Sequence, residues 1–74
     1  MTYYVLVFYE NLDSTFGTSI YEYPTEMEAR VAMYDRLSSL ISSNEYLGAT
    51  VQVTQPDGRI VYETSWNMNM QGEH

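Results

Sequence analysis

The stretch TEMEARVAMYDRLSSLISS, residues 25–43, decides how the rest of this chain is read. It is the one segment with a sustained helical period. Thr25 is followed three residues later by Glu28, the spacing of a capping box. In that motif the Thr hydroxyl accepts from the Glu28 backbone N–H while the Glu28 carboxylate reaches back to the Thr25 N–H. Pro24 marks the start of the helix. Wound at about 3.6 residues per turn, the stretch places Met27, Val31, Tyr34, Leu37 and Ile41 on one stripe, with Met33 and Leu40 along its flank. That face is expected to be buried. The other side carries Glu28, Asp35, Ser39, Ser42 and Ser43, and the serines with Asn44 weaken the helix toward a stop between about 42 and 44.

The segments on either side read as strands. Residues 3–10 alternate Tyr3, Val5, Val7 and Tyr9 with Tyr4, Leu6, Phe8 and Glu10, so both faces are apolar or aromatic and the strand belongs in the centre of a sheet. Residues 11–14 form a polar turn. Residues 16–23 set Ser19, Tyr21 and Tyr23 against Ile20 and Glu22, a more polar pattern that suits an edge. After the helix, 45–48 is expected to be a connection, and Ala49, Val51 and Val53 then alternate with Thr50, Gln52 and Thr54. Gln55-Pro56-Asp57-Gly58-Arg59 is a hairpin signal, since Pro presets the first turn position and Gly accepts the left-handed one. The return strand runs from 59 to about 66, with Ile60, Tyr62, Thr64 and Trp66 as the expected core face and the direction of Trp66 open. Residues 67–74 lack periodicity and are expected to form a flexible tail.

These elements predict a single α+β domain over residues 1–66 in the order ββαββ. A helix packed on a sheet reverses the chain, so the third strand should lie antiparallel to the first, giving a four-stranded antiparallel sheet of order 2-1-3-4. One helix covers one face of such a sheet only partly, and the other face stays open.

Seventy-four residues leave no room for a second core. The absence of cysteine removes disulfides, thiolate metal sites and a cysteine nucleophile. No apolar run approaches the ~18 residues of a membrane span and the N-terminal residues lack a secretory pattern, so a cytoplasmic protein is expected. Ten carboxylates against Arg30, Arg36 and Arg59, with no lysine, give a formal net charge of -7. So few scattered cations disfavour direct contact with nucleic acid or an anionic membrane. The acidity serves either solubility alone or a negative surface offered to a basic protein.

Catalytic groups are sparse. The one histidine, His74, is the last residue, the glycines are isolated, and no phosphate loop is present. No enzymatic activity, cofactor or metal is expected. Glu10, Asn11, Asp13 and Ser14 gather oxygen atoms in one turn, but without the spacing of a twelve-residue calcium loop, and an Asx-type turn explains them as well. Glu22 and Glu63, if on neighbouring strands, would be a carboxylate pair; solvated surface groups are the simpler reading. Arg30 lies within the apolar stripe, four residues after Glu26, and reads either as a snorkelling or locally paired side chain or as an anchor for a partner carboxylate. Eight tyrosines with Phe8, Phe16 and Trp66 make an aromatic excess, much of it expected in the core because strands favour aromatics, and the rest suited to an interface on the face the helix leaves uncovered.

In type, the chain resembles the small acidic inhibitors of phages and mobile elements, anti-CRISPR proteins among them. The resemblance is carried by one short domain, no cysteine, acidity without lysine, and the Tyr-rich pair TYYVLVFYE (2–10) and TSIYEY (18–23). Such inhibitors share no common fold, so the resemblance assigns no residues. It implies a non-enzymatic module that binds a basic protein of a nucleic-acid-processing defence complex in a host cell and occludes its nucleic-acid surface, carboxylates standing in for phosphates. The candidate contacts are Glu10, Asp13, Glu22, Glu26, Glu28, Asp35 and Glu63, with Tyr21 and Tyr23. The alternative is a structural or adaptor domain that homodimerises through a Tyr-rich sheet face or an edge strand.

Overall fold

The computed structural model describes residues 2–68. The most apolar segment of the chain takes the most enclosed place in it. Strand β1 (Tyr3–Asn11) lies between β2 (Phe16–Tyr23) and β3 (Tyr46–Thr54), and β4 (Ile60–Asn67) completes an antiparallel sheet of order β2-β1-β3-β4. Helix α1 (Glu26–Ser43) crosses one face. This is the expected ββαββ architecture with the expected strand order, and it sets the strand with two apolar faces between two neighbours.

The core is a sandwich of four valines and two helix residues. Val5 and Val7 of β1 and Val51 and Val53 of β3 point at Ala29 and Met33 of α1, and all six are buried. Leu37 and Leu40 extend this contact along the helix, while Tyr3, Tyr9, Tyr21, Tyr23 and Tyr62 close its sides. The helix is therefore turned away from the stripe expected of it. Met27, Val31 and Tyr34 are 70%, 59% and 54% exposed. The rotation, roughly a third of a turn, has two physical causes. Burying the 27–31–34 stripe would have carried Arg30 under the helix, where an unpaired charge is expensive to desolvate. Facing Ala29 to the sheet instead removes bulk at the closest approach and lets Met33 fill the space between the valine pairs.

Local signals were mostly realised. The Glu28 backbone N–H donates to Thr25 Oγ1 at 3.2 Å, and Asn44 ends the helix in the left-handed region at φ 57°. In the β3–β4 turn Gly58 takes φ 91°, its N–H bonds the Gln55 carbonyl at 2.9 Å, and Asp57 Oδ1 accepts from the Arg59 N–H at 3.0 Å. Two boundaries differ from expectation. Strand β3 begins at Tyr46, not after a loop through 48, because a register shift beside Glu10 lets Tyr46 pair with Asn11 and stack edge-on against Tyr9. A second shift between Val53 and Thr54 takes Ile60 out of the core alternation and leaves it 50% exposed. Trp66 pairs with Ala49, on the same side of the sheet as the core residues. Of the expected flexible tail, Asn67 belongs to β4, and residues 69–74 lie outside the described residues.

The core contacts set different costs for neighbouring helix positions. Met33→Ala should lower the unfolding free energy by about 2–4 kcal/mol, whereas Val31→Ala should change it by less than about 0.5 kcal/mol. Urea titrations of the two variants check this directly, and equal losses would return the helix to the orientation first read from its sequence.

Candidate protein-binding surface

Strand alternation fixes which side chains α1 leaves uncovered. With Val5 and Val7 turned to the helix, Tyr4, Leu6, Phe8 and Glu10 stand on the opposite face. The pairing register carries that face outward into β2 through Tyr4–Glu22, Leu6–Ile20, Phe8–Thr18 and Glu10–Phe16. Through β3 it continues as Leu6–Gln52–Glu63 and Phe8–Thr50–Ser65.

The open face has two unlike halves. Over β1 and β2 it is apolar: Phe8, Phe16 and Ile20 are 38%, 78% and 62% exposed, with Leu6 half-buried between them. Over β3 and β4 it is a hydrogen-bonded ladder, in which Thr50 and Ser65 share a 3.1 Å bond and Gln52 Nε2 donates to Glu63 Oε2. Three carboxylates frame the whole. Glu10 and Glu22 lie at opposite ends of the β1–β2 half, about 20 Å apart along the strands, and Glu63 stands on the far edge.

The arginines are held elsewhere. The Arg36 guanidinium stacks on Tyr21 at 3.9 Å on one side of the helix, and Arg30 stacks on Tyr62 at 4.7 Å on the other. The Tyr62 hydroxyl donates to Glu26 at 3.1 Å, so the same side chain contacts both Arg30 and Glu26. Arg59 follows the β3–β4 turn. The strand positions of the open face therefore carry Glu10, Glu22 and Glu63 and no cation.

The candidate residues are dispersed over three regions. Glu10, Glu22 and Glu63 share the open face. Glu26, Glu28 and Asp35 lie on α1, and Asp13 is in the β1–β2 turn. Tyr21 and Tyr23 pack under the helix against the core, as do Tyr3, Tyr9 and Tyr62, so the open face is not the Tyr-rich one expected; among the strand tyrosines Tyr4 is its representative. Glu22 and Glu63 sit on opposite edges of the sheet, not on neighbouring strands. Three strand spacings and an offset of two residues put them about 16 Å apart, beyond the ~9.5 Å reach of a hydrolytic carboxylate pair.

The β1–β2 turn accounts for its own oxygens. Asp13 Oδ1 accepts from the Thr15 hydroxyl at 2.6 Å and from the Thr15 N–H at 3.1 Å, and Asn11 Nδ2 donates to Thr15 Oγ1 at 3.0 Å. Among the described residues no acidic or histidine cluster has the geometry to hold a metal, and no helix is long and apolar enough to cross a membrane. Sequence reasoning missed Phe8, Phe16 and Ile20 as surface residues, although the doubly apolar pattern of β1 was the signal that one of its faces would need another cover. Compared with known proteins, the chain matches no family model, no curated protein and no solved structure.

The hydroxyl and then the amide of Thr15 hold the Asp13 carboxyl below the ordinary aspartate value of 3.8. A depressed folded-state value contributes stability above the unfolded value and loses it as pH falls through the folded one. A carboxyl-detected NMR titration should find the Asp13 midpoint below 3.8, and Thr15→Val should move it back up.

Proposed function

We propose that the protein is a non-enzymatic, acidic protein-binding module whose open sheet face seats a basic surface of another protein. One observation carries this reading: the uncovered face of β1 and β2 is apolar at its centre, acidic at its rim and free of cations. An apolar centre within a polar rim is the usual anatomy of a protein interface. Exposed large apolar side chains grouped in this way are uncommon on a monomer without a binding role. The one-sided charge selects lysine- and arginine-bearing partners and speeds encounter with them.

Seated over a nucleic-acid channel, such a face would exclude phosphates by charge and by bulk, the action expected of the small acidic inhibitors that the chain resembles. The carboxylates are too far apart to follow a phosphate backbone one by one, so occlusion by the whole face accounts better for the geometry than atom-for-atom mimicry.

The test is a tagged pull-down from a nuclease-treated host lysate, followed by reconstitution with the purified partner. A basic nucleic-acid-binding protein should be retained at low salt, lost at high salt and displaced by added DNA or RNA. The triple variant Glu10→Lys, Glu22→Lys, Glu63→Lys should weaken binding at least about a hundredfold at low salt, while Glu28→Lys with Asp35→Lys should leave it within about threefold. If the helix variant abolishes binding and the strand variant does not, the open face is not the interface.

A further inference from the structure

We propose that the free edge of β2 pairs with the β2 edge of a second copy, antiparallel about a two-fold axis at Ser19. The reading is independent of any basic partner. It begins in the β1–β2 turn, where the Asn11 N–H donates to the Thr15 carbonyl at 2.8 Å. Opposed residues in an antiparallel ladder alternate between pairs that exchange hydrogen bonds and pairs that do not. Counting back from Asn11–Thr15 along an unbroken register, Gly17, Ser19, Tyr21 and Tyr23 spend their backbone groups on β1. Phe16, Thr18, Ile20 and Glu22 direct theirs away from it, and β2 has no neighbour on that side in the sheet of the described residues.

Apart from the one charge of Glu22, this edge has none of the usual guards. Lysine is absent from the chain, no proline falls within Phe16–Tyr23, and the pairing with β1 contains no bulge. The other edge is different: the register shift between Val53 and Thr54 interrupts β4, and its pairing there is irregular. A regular strand with outward amides and a bare edge is a template for strand addition.

Symmetry then selects the register. Centring the axis on Ser19 pairs Phe16 with Glu22 of the second copy and Thr18 with Ile20, so all four outward residues are used, each pair exchanging two hydrogen bonds. A shift of two residues either way leaves Phe16 or Glu22 unpaired. In the Ser19 register the one carboxylate of the strand faces Phe16, not its own symmetry mate, and Ser19 meets Ser19 at the axis without bulk. The two sheets join into one, and the two open faces become a continuous surface with twice the carboxylates.

The experiment is sedimentation of the full chain over a concentration series, together with amide hydrogen exchange at both ends of it. The mass should rise from 8.6 kDa to its double. The Phe16, Thr18, Ile20 and Glu22 amides should gain at least about tenfold protection with concentration, while those of Gly17, Ser19 and Tyr21 are protected throughout. Added salt should strengthen the dimer by screening the charge of -7 on each copy, the reverse of its effect on a basic partner. Thr18→Pro removes an outward N–H and costs the β1 ladder nothing, so it should give a folded monomer. A mass that stays at the monomer value up to millimolar concentration overturns the proposal. So does a dimer whose four edge amides exchange as freely as in the monomer, or a folded Thr18→Pro chain that dimerises normally. If Thr18→Pro does not fold, the exchange pattern of the unaltered chain decides.

Discussion

The contact of Ala29 and Met33 with the four valines of β1 and β3 governs the rest of this structure. Among the described residues one helix is the cover of the sheet, and stability rests on one small core. That core holds where a small helix residue meets the two central strands of the sheet. Once it is set, the orientation of everything else on α1 follows. Arg30 and Arg36 emerge on opposite flanks, each lying on a tyrosine, and Met27, Val31 and Tyr34 are turned to solvent. The same contact orients β1, and so decides that Leu6 and Phe8 face away.

What was legible in the sequence was whatever a single period or a single turn decides. The doubly apolar alternation of residues 3–10 placed β1 in the centre, the spacing of Thr25 and Glu28 gave the helix start, and Pro56-Asp57-Gly58 gave the second hairpin. The helix face was misread because Met27, Val31 and Tyr34 are larger than Ala29. A wheel weighted by hydrophobicity favours bulk, whereas close packing on a sheet favours the residue that lets the backbones approach. The two register shifts were invisible for a different reason: nothing local in 10–11 or 53–54 marks them, and they arise from how distant strands share a length.

The candidate surface was legible in charge and illegible in placement. Ten carboxylates could be counted, but Glu22 and Glu63 become partners or strangers only once the strand order puts three spacings between them. Likewise the strand tyrosines could be core or interface residues by sequence, and placement puts most of them against the core. Their hydroxyl and ring were put to use there: Tyr62 bonds Glu26 through one and holds Arg30 on the other. The cation–π stacks have a consequence for the opposite face. By fixing two of the three arginines on the helix side, they leave the open face with uncompensated negative charge.

Charge and edge then constrain each other. A cation-free sheet face resists stacking on a copy of itself, since three carboxylates would meet three with nothing to offset them. The edge of β2 escapes that penalty, because its backbone groups lie in the plane of the sheet and its single carboxylate need not face another. A sheet built this way directs self-association sideways and leaves its face for a partner of the opposite charge. The division follows from one structural fact: in β2 the residues with outward backbone groups, Phe16, Thr18, Ile20 and Glu22, are also those whose side chains stand on the open face. Any strand added at that edge must therefore extend the same apolar, acidic-rimmed surface, so pairing at the edge and binding on the face reinforce each other and do not compete.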